Sequence, residues 1–258
     1  MTTCLPDGSP YPDKERRLND FTTRSFRDTA DGDYIAARMA YRARLLPQFL
    51  WLSLQCLEKY LKCTLVLNRV SAKNIRHELT PLLDRFRVAG KFDIRMSKSS
   101  RTFVEYLDTF GRHRYFETSY HAWGLEIMQL DRAVWELRRY AQVIDYYITT
   151  AGKIVHLLEP ELQRLKNAER RPHQYRIFGG VLEDLIAKRS HPARAQLLWQ
   201  NAFLGERYRR TVRLARHIRF ANSPLSLHPE ILDEVLKYVY LPRDVIDLYR
   251  KLVAQPKE

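Results

Sequence analysis

The sequence predicts an all-α protein, and three observations carry that prediction. Glycine is scarce, at nine of 258 residues; apolar residues recur three and four positions apart; and strict apolar/polar alternation is hard to find. Spacing of three and four places apolar side chains on one face of a helix, whereas alternation is typical of a strand. We expect helical content above about 60%, well over the usual one third, with no sheet beyond a stray hairpin.

Two helices are predicted on either side of Pro47. Apolar residues spaced three and four apart continue on both sides of this proline. Proline lacks an N–H donor and disfavours helical geometry at the preceding Leu46, so a helix breaks or starts there. We therefore predict helices over about 31–45 and 47–68. The predicted buried stripe of the second helix comprises Phe49, Leu52, Cys56, Leu57, Tyr60, Cys63, Thr64 and Leu67.

Further helices are predicted along the rest of the chain. A short helix covers about 77–87, another covers 99–109, and the longest uninterrupted pattern runs over 126–149, with Gly152 as a natural stop. Beyond Pro160 the predicted helices cover about 160–170, 179–189, 192–219, 229–239 and 242–253. We accordingly divide the chain into a loosely ordered segment (1–30), an antiparallel helical bundle (31–155) and a smaller, basic helical region (156–258).

The charge favours a polyanionic partner such as RNA. The chain has 44 Lys and Arg against 30 Asp and Glu, a net charge of +14. The excess is most concentrated in residues 160–220, which hold 14 basic and 5 acidic side chains. A basic segment of this kind attracts phosphate groups. We therefore expect a polyanionic partner to contact that segment.

Cysteine usage and apolar runs indicate the compartment. The three cysteines form no CxxC pair, and Cys56 and Cys63 lie in an apolar helical stretch, which is typical of reduced, buried thiols. No stretch reaches the length of a membrane span, and the first thirty residues lack the apolar run of a secretion signal. We expect a cytoplasmic protein without a membrane partner. Nucleotide-binding glycine loops and metal-binding motifs are absent from the sequence, so no cofactor or metal is predicted.

Two short motifs resemble the HEPN family (higher eukaryotes and prokaryotes nucleotide-binding). QCLEKYLKCTLVLN, from Gln55 to Asn68, is similar to the family pattern Q-x-x-E-K-x-L-K, and HELTPLL, starting at His77, resembles the His-x-Leu helix that follows it. An Arg-Tyr junction at Arg114 and a long closing helix come in the family order. The resemblance covers residues 31–150 and implies a HEPN-like bundle, a homodimer and RNA as partner.

The same resemblance points to a catalytic pair, Arg114 and His121. HEPN ribonucleases carry an Arg, four to six residues and a His; here YFETSY separates the two. RNA holds its own nucleophile, the 2′-OH. Histidine moves the proton while the guanidinium binds the phosphate oxygens, which implies a metal-independent endoribonuclease leaving 2′,3′-cyclic phosphate ends. Alternatively, Arg114 makes an ordinary ion pair with Glu117, and His121 is a partly exposed residue at a helix start.

A second candidate site is a basic helical face near the C-terminus. GERYRRTVRLARHIRF, residues 205–220, places Arg209, Arg213 and Arg216 on one helical face, with Arg210 beside it. Cations in such a row track a phosphate backbone. The alternative is a solvated face balanced by acids elsewhere. Two interpretations of the whole chain therefore stay open: an RNA-binding protein with possible ribonuclease activity in a defence or toxin system, and a non-catalytic module for oligomerisation or partner binding.

Overall fold

The computed structural model of the protein describes residues 2–112, 116–205, 207, 209, 211–214 and 218–254. The chain is mostly helical, as predicted, but its 57% helix is below the expected 60%, and 7% is strand. The strands form two small sheets, so the expectation of no sheet beyond a stray hairpin is wrong. The α-helices in these residues are α1 (Asp13–Thr22), α2 (Thr29–Arg42), α3 (Leu46–Leu67), α4 (Leu79–Ala89), α5 (Lys98–Phe110), α6 (Glu126–Arg138), α7 (Leu158–Ala168), α8 (Val181–Ala187), α9 (Arg194–Leu198), α10 (Pro224–Leu227), α11 (Leu232–Val235) and α12 (Arg243–Ala254).

Helices α2 to α6 enclose the main hydrophobic core. Helix α3 is central: Phe49, Leu54, Leu57, Tyr60 and Cys63 are fully buried in it. Proline at the start of α3 is tolerated because the first helical N–H groups have no partner within the helix. The predicted helix at 47–68 is therefore confirmed to within one residue.

The N-terminal segment is more regular than the sequence indicated. Residues 13–28, which fall in the segment expected to be loosely ordered, form α1 and a π-helical turn (Thr23–Asp28) that runs directly into α2. The first strand, β1 (Thr2–Cys4), pairs antiparallel with β3 (Tyr147–Thr150), which pairs with β4 (Lys153–His156). The N-terminus is thus tied to residues far along the chain.

The long helix predicted over 126–149 is wrong in its second half. Helix α6 ends at Arg138, and residues 147–156 form a hairpin instead. The reason lies in the local sequence, since aromatic and β-branched residues flank a two-residue turn at Ala151 and Gly152. Both turn residues have positive φ, 48° and 74°, as the tightest hairpin turns require.

The helix predicted over 192–219 is also wrong. Helix α9 ends at Leu198, Gln200 has a positive φ of 47°, and the Asn201 side chain accepts hydrogen bonds from the Phe203 and Leu204 amides at 3.0 and 2.9 Å. This side-chain bonding replaces the helical pattern with a turn. Residues 209, 211–214 and 218 have no regular secondary structure, and β5 (Arg219–Ala221) follows.

Two buried arginines attach the region after α7 to the bundle. Arg38 in α2 forms an ion pair with Asp131 of α6 and donates hydrogen bonds to the carbonyl oxygens of Gln196 and Trp199. Arg138 bridges Asp31 and Glu183, the latter in α8. Leu182, Leu185, Ile186, Leu197 and Leu204 belong to the main core. The predicted boundary at 155/156 therefore separates segments that share one core.

The last helices enclose a small core of their own. Leu225, Leu232, Leu241, Val245 and Tyr249 form it. The Tyr249 hydroxyl donates a hydrogen bond to the Glu117 carbonyl oxygen at 2.7 Å, which ties α12 to the segment before the strand β2 (Tyr120–Ala122).

Within the described residues no helix is long and apolar enough to cross a membrane.

Candidate nucleic-acid interface

A two-stranded ribbon brings His121 next to the end of the basic segment. Strand β2 pairs antiparallel with β5, so that His121 lies opposite Phe220 and Ala122 lies opposite Arg219. In the sequence, the region of His121 and the basic segment are separate features. The pairing makes them neighbours, although about one hundred residues separate them in the chain.

His121 occupies the aromatic face of this ribbon. Its ring lies 5.5 Å from the ring of Phe110, 5.4 Å from Trp123 and 6.4 Å from Phe220. The Tyr106 hydroxyl donates a hydrogen bond to the His121 carbonyl oxygen at 2.7 Å. The histidine is half-buried, while Trp123 and Phe220 are exposed. His121 is therefore in a strand with flat apolar neighbours, not at the start of a helix.

The other predicted site residues are only partly described. Arg114, Arg210 and Arg216 lie outside the described residues. Arg209 and Arg213 are exposed, in a stretch without helical structure. The expectation of a single helical face is therefore wrong for these two, because such a face requires the regular rotation of a helix.

The structure places Arg213 in a different arrangement, which we name the arginine pocket. It is a cavity of about 270 Å³ lined by four arginines, Arg42, Arg44, Arg213 and Arg219. Tyr41, Trp199 and Glu126 contribute further to its walls. The lining comes from the end of α2, the β2–α6 junction, the residue after α9, and the basic segment. The ribbon face that carries Ala122 and Arg219 borders this pocket, and His121 points to the opposite face.

The guanidinium groups of Arg42 and Arg219 are held by neutral groups. Arg42 donates a hydrogen bond to the Gln196 side chain, and its guanidinium lies 5.0 Å from the centre of the Trp199 ring. Arg219 donates to the Arg44 carbonyl oxygen at 3.4 Å, and the Arg213 amide donates to the Gln200 side chain at 3.2 Å. In the part of the chain that the structure describes, none of the four arginines forms an ion pair with an acidic side chain.

Tyr41 is an uncharged part of the pocket wall. Its hydroxyl donates a hydrogen bond to the Gly124 carbonyl oxygen at 2.9 Å. Burial raises the pKa of Tyr41 to about 12, with a smaller contribution from the Glu126 carboxylate and an opposing one from Arg219. Tyr41 is therefore neutral at physiological pH, and it adds no negative charge to the pocket.

Sequence reasoning missed Arg42, Arg44 and Arg219 as site residues. Arg42 and Arg44 belong to the run YRARLL at the end of α2, and nothing in that run distinguishes them from ordinary surface arginines. Arg219 lies in the basic segment, where its charge stands out but its position at a pocket does not. The signal that joins the three is tertiary, since the cavity forms only when four segments distant in the chain fold together.

Residues of the two motifs that resemble the HEPN family hold the loop between α3 and α4 in place. The Glu58 carboxylate in α3 accepts a hydrogen bond from Lys62 Nζ at 2.6 Å and lies 3.0 Å from His77 Nδ1. The His77 amide also donates to Glu58 at 3.3 Å. Burial opposes ionisation, but the hydrogen bonds and the charge of Lys62 outweigh it and lower the pKa of Glu58. The signature thus fixes the entry to α4.

Comparisons with protein-family models, with curated proteins and with solved structures found no match to this chain. The resemblance to the HEPN family therefore stays a prediction from the two sequence motifs.

Proposed function

We propose that this chain binds RNA and holds its phosphate groups in the arginine pocket. One observation carries the proposal: four arginines line a single cavity, and in the described residues no acidic side chain pairs with any of them. The single carboxylate in the pocket wall, Glu126, does not balance four like charges, which repel one another. An anion in the pocket relieves that repulsion.

Guanidinium groups suit phosphate for a geometric reason. The planar fork of N–H donors forms two parallel hydrogen bonds to phosphate oxygens, which adds geometric specificity to the charge attraction. Trp199, with Arg42 on its ring, offers a flat surface of the kind on which unpaired bases stack. Phosphate binding and stacking together are the usual means of holding single-stranded RNA.

The overall charge and the sequence resemblance both favour a nucleic acid. The net charge of +14, concentrated in residues 160–220, attracts a polyanion more strongly than a small neutral ligand. The motifs at Gln55 and His77 that resemble the HEPN family favour RNA in particular.

The test compares two double variants that remove the same charge. Arg213→Ala/Arg219→Ala removes two pocket arginines, while Arg24→Ala/Arg87→Ala removes two arginines that are about three quarters exposed in surface ion pairs. Only the pocket variant should lose affinity for a single-stranded RNA oligonucleotide. Its salt slope should fall by about 0.7 for each phosphate group that it no longer binds. Equal binding by both variants would contradict the proposal.

A second candidate function is metal-independent RNA cleavage by Arg114 and His121. The observation that favours it is the half-exposed His121 ring, whose face is bordered by the exposed Trp123 and Phe220. A base stacked on these rings brings a ribose 2′-OH towards the imidazole, which takes its proton. Arg114 would then bind the phosphate oxygens as they gain charge.

This candidate is tested with labelled RNA in EDTA. His121→Ala should lower cleavage by about 10²- to 10⁴-fold, because the proton carrier is lost. RNA affinity should be retained, since His121 faces away from the arginine pocket. His228→Ala is the matched control, because His228 is exposed and far along the chain. If wild type leaves labelled RNA intact, the chain is a binding module without this activity.

A further inference from the structure

We infer that the arginine pocket recognises a guanine base, with Glu126 as the residue that sets the specificity. The inference rests on the proposed RNA binding and adds to it the identity of the base. It starts from a feature that phosphate binding leaves unexplained, namely a carboxylate in the wall of a pocket whose other charged residues are arginines.

Glu126 is the first residue of α6 and is only 2% exposed. One carboxylate oxygen, Oε1, accepts a hydrogen bond from the Trp123 amide. The other oxygen, Oε2, is buried and has no hydrogen-bond partner in the part of the chain that the structure describes. Among the described residues, Glu126 forms no ion pair with the arginines that share the pocket. Half of its accepting capacity is therefore unused.

A buried acceptor without a donor costs about 1–3 kcal/mol, and more when it is charged. A phosphate cannot satisfy Oε2, because a phosphate is itself an anionic acceptor. The group that satisfies it must bring an N–H or O–H donor. Since Glu126 is almost entirely buried, only a group inserted into the pocket reaches it. The pocket thus offers donors on its arginines and an acceptor on Glu126.

Guanine matches this combination on two edges. Its Watson–Crick edge presents two adjacent donors, N1–H and the 2-amino group, and its other edge presents two adjacent acceptors, N7 and O6. Arginine bonds to the N7 and O6 pair in bidentate fashion, which is the commonest specific contact between proteins and bases. Adenine, cytosine and uracil each lack either the adjacent donors or the adjacent acceptors. Tyr41 and Trp199 supply flat walls for the base.

The experiment uses three uridine hexamers in which one position is guanine, adenine or hypoxanthine. Hypoxanthine is guanine without the 2-amino group, so it isolates one of the two donors. Wild type should bind all three in a salt-dependent manner, with guanine preferred over adenine by about tenfold or more and hypoxanthine between them. Glu126→Gln should erase the preference. Glu234→Gln, which makes the same change at an exposed ion pair, should retain it.

The outcomes separate this inference from the proposed function. If the three hexamers bind equally well to wild type, guanine recognition is refuted while RNA binding stands. If none binds at millimolar concentration, RNA binding and guanine recognition both fail. A guanine preference that survives Glu126→Gln assigns the recognition to other residues and overturns the role of Glu126. Circular dichroism of each variant checks that its overall helical content matches that of wild type.

Discussion

Arg38 is the most deeply buried arginine of the described chain, with no exposed surface. Its charge is compensated by Asp131, and it also donates hydrogen bonds to the backbone carbonyl oxygens of Gln196 and Trp199. Burial raises the pKa of Asp131, and Arg38 limits that rise. Two charges buried together in this way stabilise the fold only while both are present.

Arg38→Met should lower the free energy of unfolding by about 3–5 kcal/mol, because Asp131 is left as an uncompensated buried charge. The measurement is a urea unfolding curve. Arg24→Met, at an exposed arginine, is the matched control and should change stability by less than about 0.5 kcal/mol. Adding Asp131→Asn to Arg38→Met should recover part of the loss. A single variant as stable as the control contradicts the buried ion pair.

At the level of residues, the sequence predicted that the charges of the basic segment matter, but it did not predict where those residues lie. The charge of Arg213 was predicted to matter, and Arg213 does line the pocket, but the helical face predicted for it was wrong. Arg42 and Arg219 were not predicted, because the cavity that joins them depends on how α2, α9 and β5 fold together. Glu126 gave no signal either, since an acidic residue at a helix start is ordinary.

At the level of elements, the Glu58 carboxylate controls how α3 meets α4. Its lowered pKa means that the ionised form is favoured in the folded state. The stabilisation is complete above the usual pKa of 4.5 and is lost as the pH falls through the lower, folded value. Acid should therefore loosen the loop between these helices.

Glu58→Gln should lose this pH dependence. Between pH 5 and the acid limit of folding, the fall in unfolding free energy should be smaller in Glu58→Gln than in wild type, because the variant has no carboxylate to protonate at this position. Unfolding curves at a series of pH values measure it. Glu234→Gln, at an exposed ion pair, should follow wild type. Parallel pH profiles for Glu58→Gln and wild type would show that the contacts with Lys62 and His77 contribute nothing.

Helices with a clear apolar stripe were predictable, and short elements were not. The predictions for α3, α4 and α5 agree with the structure within about two residues, because apolar spacing and Pro47 define them locally. The first strand of the β3–β4 hairpin was predicted as helix, since its residues also fit a helical stripe. The helix predicted for the basic segment is wrong for another reason. Asn201 and the positive φ of Gln200 end the helix through contacts that the spacing of apolar residues does not reveal.

At the level of the whole molecule, we expect a homodimer, which the resemblance to the HEPN family implies. Several large side chains are exposed near the C-terminus: Tyr238 and Tyr240 lie in the turn between α11 and α12, and Leu248 and Leu252 lie in α12. An apolar surface of this kind favours association. Light scattering at micromolar concentration should show twice the chain mass of 30.7 kDa. A single species at the mass of one chain contradicts the expectation.

The hydrogen bonds that Arg38 donates to carbonyl oxygens far along the chain have a consequence for how the protein is synthesised. The carbonyl oxygens that Arg38 binds lie 158 and 161 positions later in the chain. The helical bundle is complete only when the end of α6, at Arg138, has been synthesised, and Trp199 follows about sixty residues later. At the usual rate of synthesis, that delay lasts about three to twelve seconds. During this time Arg38 and the site for Leu197 and Leu204 are uncovered. The bundle is therefore made before its cover, and we expect chaperones to bind the half-made protein more readily than the finished one.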